Sequence, residues 1–266
     1  MKKPKNKKPW LMIIKKTVPD AVKQFVKYYW EKIRPPQIVL TAFEKKGCRF
    51  EITTRMEKVR VLSLGEEEEF VRRLLAEIRP GDVYFDIGSC VGLHALHAAL
   101  YGAQVVAFEP DPGYRRRLKR NIKINGLKKS VRVIEWAVSD RRGRAKLYTD
   151  GVNGNSPSLY LVGDRGAVVV KTDTIDNAIL EGRIPKPDLV KLDIEGAEIL
   201  ALRGMKRLLV SNSAPRCLFV EFHPEFLHGF NSSVDECMEL IESFGYVQEH
   251  CESRSNQLHC IYSKAR

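Results

Sequence analysis

From Asp82 onward the chain alternates short apolar runs with longer stretches of helical pattern, and that alternation restricts the fold more than any other feature. The runs Val83–Ile87, Val105–Phe108, Val131–Trp136, Leu189–Leu192 and Cys217–Phe222 are separated by helical stretches that begin after Gly92, Asp111, Thr174, Glu195 and Ser233. Runs with no polar alternation belong to strands covered on both faces, and helices of ten or more residues between them make the crossovers that parallel strands require. An α/β domain with a mostly parallel sheet and helices on both faces is therefore expected. Arg144–Val170 breaks the rhythm with strands around a polar loop, Gly151–Ser158, and Tyr246–His250 with Leu258–Tyr262 reads as a closing hairpin. No internal repeat is visible.

Upstream of this pattern the charge changes. The whole chain of 266 residues carries a net +12, but residues 1–34 hold 11 Lys or Arg against Asp20 and Glu31, a net +9, so the body is close to neutral. Three segments are expected: a basic disordered tail over 1–18, an amphipathic helix and β extension over 19–65, and the α/β domain over 66–266. In the second segment Val22, Phe25, Val26, Tyr29, Trp30 and Ile33 recur at helical spacing after Pro19, with Pro35-Pro36 as the stop. A strand to Phe43, a turn at Lys45-Lys46-Gly47 and a second strand around Cys48–Thr54 follow, and Glu66–Ile78 reads as a helix with acids in its first turn. No apolar run approaches the ~18–20 residues of a membrane span. Trp10–Ile14 is shorter than the ~7–15-residue core of a signal peptide. These lengths give a cytoplasmic, unprocessed protein as the expectation. The six scattered cysteines are expected reduced and mostly buried. His250-Cys251 and His259-Cys260 face each other across the closing hairpin, yet zinc sites have tighter ligand spacing, so no metal is assigned there.

Three strand ends carry chemistry. Asp86-Ile87-Gly88-Ser89-Cys90-Val91-Gly92 is an acid and a glycine turn between a strand and a helix, where Gly88 and Gly92 allow backbone to approach a ligand. Its spacing departs from Gly-x-Gly-x-x-Gly, which argues against a dinucleotide. The next strand ends in Glu109, placed to accept both hydroxyl hydrogens of a ribose. The third ends near Trp136 and Ala137, a flat or small surface for an adenine ring. This order resembles the class I S-adenosylmethionine methyltransferases over roughly residues 66–266. The resemblance implies a Rossmann-like seven-stranded sheet and S-adenosyl-L-methionine held by Asp86, Gly88, Ser89, Gly92, Glu109, Trp136 and Ala137.

The fourth strand narrows the family. Lys191-Leu192-Asp193-Ile194-Glu195-Gly196-Ala197-Glu198 with Arg203-Gly204, Lys171–Asp176, the serine-containing loop near Ser156–Leu159, and Val220-Glu221-Phe222-His223-Pro224 together resemble the FkbM methyltransferases. That resemblance implies O-methylation of a hydroxyl on a sugar, glycolipid or other small metabolite. Asp193 and Glu195 are the expected catalytic carboxylates, with His223 as an alternative base. The same carboxylates leave a divalent ion possible, but no metal ligand is assigned. Glu198 reads as structural, and His94 and His97 as packing residues. The rival function is tRNA methylation. It rests on the basic arm, on Arg115-Arg116-Arg117, and on Asn121–Leu127, which resembles a helix of archaeal tRNA guanine methyltransferases. The (Asp/Asn)-Pro-Pro-aromatic motif of base N-methylases is absent after strand four. The aromatic basic helix of the arm also suits peripheral contact with an anionic membrane.

Overall fold

A computed structural model describes residues 36–43, 46–62, 64–149, 156–161 and 166–265. The expected helix after Pro19 and the basic tail lie outside the described residues.

The first elements are a hairpin, β1 (Gln37–Phe43) and β2 (Lys46–Ile52), and two helices, α1 (Arg55–Leu62) and α2 (Leu64–Glu77). The alternating part runs β3 (Val83–Ile87), α3 (Leu93–Leu100), β4 (Gln104–Phe108), α4 (Pro112–Ile124) and β5 (Val131–Ile134). After it come β6 (Ala137–Val138), β7 (Gly143–Tyr148), β8 (Ala167–Asp173) and α5 (Ile175–Leu180). The chain then forms β9 (Leu189–Leu192), α6 (Glu198–Gly204), α7 (Lys206–Leu209), β10 (Cys217–Phe222), α8 (Pro224–Leu227) and α9 (Val234–Ser243). It closes on β11 (Tyr246–Arg254) and β12 (Gln257–Lys264).

Seven strands form one sheet in the order β11-β12-β10-β9-β3-β4-β5, and β12 runs antiparallel between β10 and β11. The mostly parallel α/β sheet expected from the alternation, and the seven-stranded Rossmann-like form that the resemblance implied, are thus present. Chain order runs outward from β3 through β4 to β5, then returns to β9 on the other side of β3. The direction of winding switches between β3 and β9, and in open sheets ligands bind beyond the strand ends at such a point. β9 and β10 are buried along their whole length, as two covered faces require. One apolar layer, with Leu74, Leu96 and Tyr114, covers one face of the sheet, and a second, with Ile175, Leu202 and Ile241, covers the other. The segment between β5 and β9 forms a small separate sheet, β6-β8-β7.

Several details differ from the sequence reading. Lys46-Gly47 is strand rather than turn, and the strand expected to reach Trp136 stops at Ile134. The helix α1 was not expected, because its buried residues are just Glu57 and Val61, too few to make an apolar stripe. The basic face of α4 is not simply solvated. Asn121 and Asn125 accept backbone N–H bonds from Glu51 and Arg49, and Arg117 reaches Glu51 and Glu57, each at 2.6 Å. These groups clamp the β1–β2 hairpin onto the sheet, and Cys48 and Phe50 join its core.

The expectation of reduced cysteines also fails at one pair. Cys251 and Cys260 are opposite each other in the β11–β12 register, their Cα atoms 4.0 Å apart, and they form a disulfide. Adjacent strands bring two cysteines within bonding reach wherever register aligns them. Cys48, Cys90, Cys217 and Cys237 are free, and burial pushes each thiol up to about 12. Among the described residues no helix is long and apolar enough to cross a membrane.

Candidate active site

The carboxyl ends of β3, β4, β5 and β9 surround one cavity whose wall includes Gly88, Glu109, Trp136, Ala137, Asp193 and Glu195. Gly88 sits at φ +88°, and a Cβ there would lie 1.8 Å from the carbonyl oxygen of Asp193. No other residue lets the turn after β3 pass so close to the end of β9. Glu109 is 4% exposed, and its two carboxylate oxygens accept from the backbone N–H groups of Cys90 and Asp111, both at 2.8 Å. Those donors fix the carboxylate plane and leave each oxygen a second lone pair for a ligand hydroxyl. Burial pushes Glu109 up to about 8, against the pull of its backbone donors. Trp136 packs edge-on to Phe108 with ring centres 5.2 Å apart.

Three of the seven expected cofactor residues do not reach this wall. Asp86 is fully buried beneath the turn, 3.8 Å from the Nζ of Lys191. A Cβ on Gly92 would strike Leu118 and Leu96, so that glycine serves the packing of α3 on α4. The Ser89 hydroxyl donates to the carbonyl of Asp86 and borders a neighbouring cavity together with Gly88, Asp193, Glu195 and Glu221. A further opening beyond Glu195 is bordered by His223, Phe226 and Gln257. Glu195 and Ser156 border all three spaces.

Asp193, Glu195 and His223 come together as expected, in a cluster richer than the sequence reading gave. Lys191, 1% exposed, places Nζ 2.8 Å from Oδ2 of Asp193. Burial opposes the charge of Asp193, yet Lys191 and His223 hold its carboxyl down at about 2. Burial raises Glu195 instead, with His223 pulling the other way. Glu195 also has a left-handed backbone, φ +54°, a conformation that non-glycine residues rarely hold without support. Support comes from the Ser158 hydroxyl, which donates to its carbonyl at 2.8 Å. The Nδ1 of His223 lies 2.9 Å from Glu198, whose carboxylate also accepts the N–H of Gly196. Its Nε2 lies 3.6 to 3.8 Å from carboxylates of Glu195, Asp193 and Glu221. Burial disfavours a charged His223, but the hydrogen bond to Glu198 and the surrounding carboxylates raise it to about 10. At neutral pH it holds a proton and has little capacity to take another.

The family profile described as the methyltransferase FkbM domain matches residues 86–247. The chain belongs to that family. The hexuronic acid methyltransferase AglP of Haloferax volcanii is 32% identical over 67% of this chain and 72% of its own length. The 2-O-methyltransferase NoeI of Sinorhizobium fredii is 26% identical over 64% of this chain and 75% of its own. The 31-O-demethyl-FK506 methyltransferase FkbM of Streptomyces tacrolimicus is 30% identical over 64% and 75%. As an FkbM-family member the chain is an S-adenosylmethionine-dependent methyltransferase, and Glu109, Trp136 and Ala137 line the cavity at its strand ends.

Sequence reasoning missed Lys191 and Glu221, and it gave Glu198 a purely structural role. Lys191 was detectable as a charged residue inside an apolar run. Glu221 is two residues from His223, so the two-residue period of a strand puts both on one face. His97 is structural as expected: its Nε2 is 2.8 Å from the Thr41 hydroxyl, and burial pushes it down to about 4.

Proposed function

We propose that this FkbM methyltransferase O-methylates a hydroxyl of a sugar or other small glycan-type acceptor. The observation that carries the reading is the placement of Glu195, shared between the cofactor cavity and the openings beside it. The matched relatives support it, one a hexuronic acid methyltransferase and another a 2-O-methyltransferase, and they give no support to the tRNA alternative.

In this reading Glu109 receives the ribose hydroxyls, Gly88 admits the cofactor's backbone-facing side, and Trp136 with Ala137 receives the adenine. Ser89, Asp86 and Gly92 shape that turn from behind. Bound there, S-adenosylmethionine supplies an electrophilic methyl on a sulfonium. The chain must hold an acceptor oxygen in line with it, and much of the acceleration comes from that alignment. A sugar hydroxyl is a poor nucleophile until its proton leaves, and Glu195, raised by burial, is a better acceptor for it than Asp193, held near 2. Asp193 and His223 then orient the acceptor. Arg60 and Arg254, bordering the cavity of Glu221, offer charge for an acidic sugar. The basic arm, net +9, would bring the enzyme to an anionic surface such as a membrane carrying a lipid-linked acceptor.

Methyl transfer from labelled cofactor to neutral and acidic sugars, lipid-linked glycans and tRNA tests this. Glu195→Gln should fold, bind cofactor within a few-fold of wild type, and lose about 10²-fold in turnover, the scale of acid–base residues. Asp193→Asn should lose less. Transfer to tRNA alone, or normal turnover by Glu195→Gln, would sink the proposal.

A further inference from the structure

The carboxylate cluster contains a feature that the proton-transfer reading does not use. His223 is 3% exposed, and its Nε2 has no hydrogen-bond partner among the described residues. The nitrogen lies 3.6 Å from Oε2 of Glu195, 3.7 Å from Oδ1 of Asp193 and 3.8 Å from Oε1 of Glu221. The three ligand atoms available from Asp193, Glu221 and His223 lie within 4.8 Å of one another. We propose that these three side chains form a divalent-cation site at the carboxyl ends of β9 and β10.

The surroundings are built as metal sites are. A ligating histidine usually donates its other ring N–H to a carboxylate, which fixes the tautomer and aims the free lone pair. Here Nδ1 of His223 faces Glu198 at 2.9 Å, and Glu198 is itself anchored by the N–H of Gly196; the cation takes the place of the Nε2 proton that His223 holds at neutral pH without it. Lys191 pairs with Oδ2 of Asp193, so Oδ1 is left for the cluster. His259, fully buried, places its Nε2 3.4 Å from the same Oε1 of Glu221. Five carboxylates (Asp86, Asp193, Glu195, Glu198 and Glu221) crowd this region around Lys191 and His223, and a divalent ion in place of the His223 proton adds positive charge to it. In an octahedral site with bonds of about 2.1 Å, neighbouring ligands are about 3 Å apart, so each side chain has to move in by less than an ångström. Two carboxylate oxygens and one imidazole suit manganese or magnesium, with positions left for water and an acceptor.

The site rests on the proposed O-methylation and gives it a means of activating the acceptor. A hydroxyl beside the cation has a lowered pKa. Its O–H proton passes to Glu195, the freed oxygen pair forms the new bond to the methyl carbon, the sulfonium S–C bond breaks, and the neutral thioether departs.

Titration of the purified full chain with Mn²⁺, read by electron paramagnetic resonance in the presence of S-adenosylhomocysteine, tests the site without any acceptor. About one Mn²⁺ per chain is expected, displaced by Mg²⁺. Glu221→Gln and His223→Gln should each weaken Mn²⁺ binding by roughly tenfold or more. Glu236→Gln, at an exposed ion pair with Arg203, should leave it unchanged. Calorimetry with S-adenosylhomocysteine on the same samples separates the two ideas, because loss of Mn²⁺ binding with intact cofactor binding indicts the ligands alone. If wild type binds no Mn²⁺ at millimolar concentration while still binding S-adenosylhomocysteine, the metal site is refuted and the methyltransferase reading stands. Equal Mn²⁺ binding in wild type and both variants would also refute it.

Discussion

Replacing Glu109 by alanine is the sharpest probe of the cofactor cavity. The carboxylate is buried, held in one plane by the N–H groups of Cys90 and Asp111, and faces the cavity. A hydrogen bond to a charged group contributes about 1.5–3 kcal/mol. Losing the ribose contact should therefore weaken S-adenosylhomocysteine by roughly 10- to 150-fold, since about 1.4 kcal/mol is a factor of ten. Isothermal calorimetry on a variant shown to be folded by circular dichroism gives the number. The pH dependence adds an independent sign. Burial holds Glu109 up to about 8 in the free site, and hydroxyl donors favour the ionised carboxylate. Binding thus lowers its pKa, so wild-type affinity should rise as pH increases through about 8, whereas the alanine variant lacks that rise. A folded Glu109→Ala protein that binds as wild type does, with the same pH profile, would show that the ribose lies elsewhere.

Two other tests address the scaffold. Gly88→Ala places a methyl 1.8 Å from the Asp193 carbonyl at φ +88°, so it should cost about 2 kcal/mol or more and lower Tm by about 4–8 °C. Gly126→Ala, with φ +71° and open space around it, should cost about 1 kcal/mol, and equal losses at both positions would refute the close-approach argument. Deleting residues 1–34 removes +9 of charge and should leave cofactor binding intact while reducing salt-sensitive binding to anionic vesicles. Unfolding of the truncated chain would instead make the arm part of the core.

Much of this architecture was legible because β3, β9 and β10 are covered on both faces, and covered strands have an apolar run with sharp ends. Helix starts were legible for a related reason: Asp111, Thr174 and Ser233 each cap the following helix with a side-chain oxygen, a local interaction that sequence records directly. What stayed hidden depends on contacts distant in sequence. Arg117 looked like surface charge because Glu51 and Glu57 lie 66 and 60 residues away. The pairing of Cys251 with Cys260 follows from a bulged register that no composition reveals. Asp86 and Gly92 read as ligand contacts because their motif includes Gly88, which lines the cavity, whereas their own side-chain positions face the interior. Motif membership leads to the strand ends around one cavity, and packing decides which residues of each motif line it.

Lys191 ties the two halves of the site together, and its removal has a distinctive signature. Its Nζ lies between Asp86, near the end of β3 beneath the Gly88 turn, and Asp193, at the end of β9. A methionine would fill the same space while leaving two carboxylates facing each other with no cation between them. Breaking a buried pair in this way costs about 3–5 kcal/mol. The sign with pH follows from Asp193, whose carboxyl is held near 2 in the folded protein against about 3.9 in an unfolded chain. A depressed carboxyl contributes stability above the unfolded value, and that contribution is lost as pH falls toward the folded one. In Lys191→Met the depression is relieved, so the deficit relative to wild type should be largest at neutral pH and shrink below about pH 4 as the carboxylates protonate. Urea unfolding of both proteins across that range measures it. Adding Asp86→Asn to Lys191→Met removes one of the stranded charges and should recover part of the loss, because neighbouring sites are not additive. A deficit that stays constant from pH 7 to pH 3.5 (roughly the window in which these carboxylates titrate) would mean that Lys191 stabilises the fold by packing rather than by joining the two carboxylates.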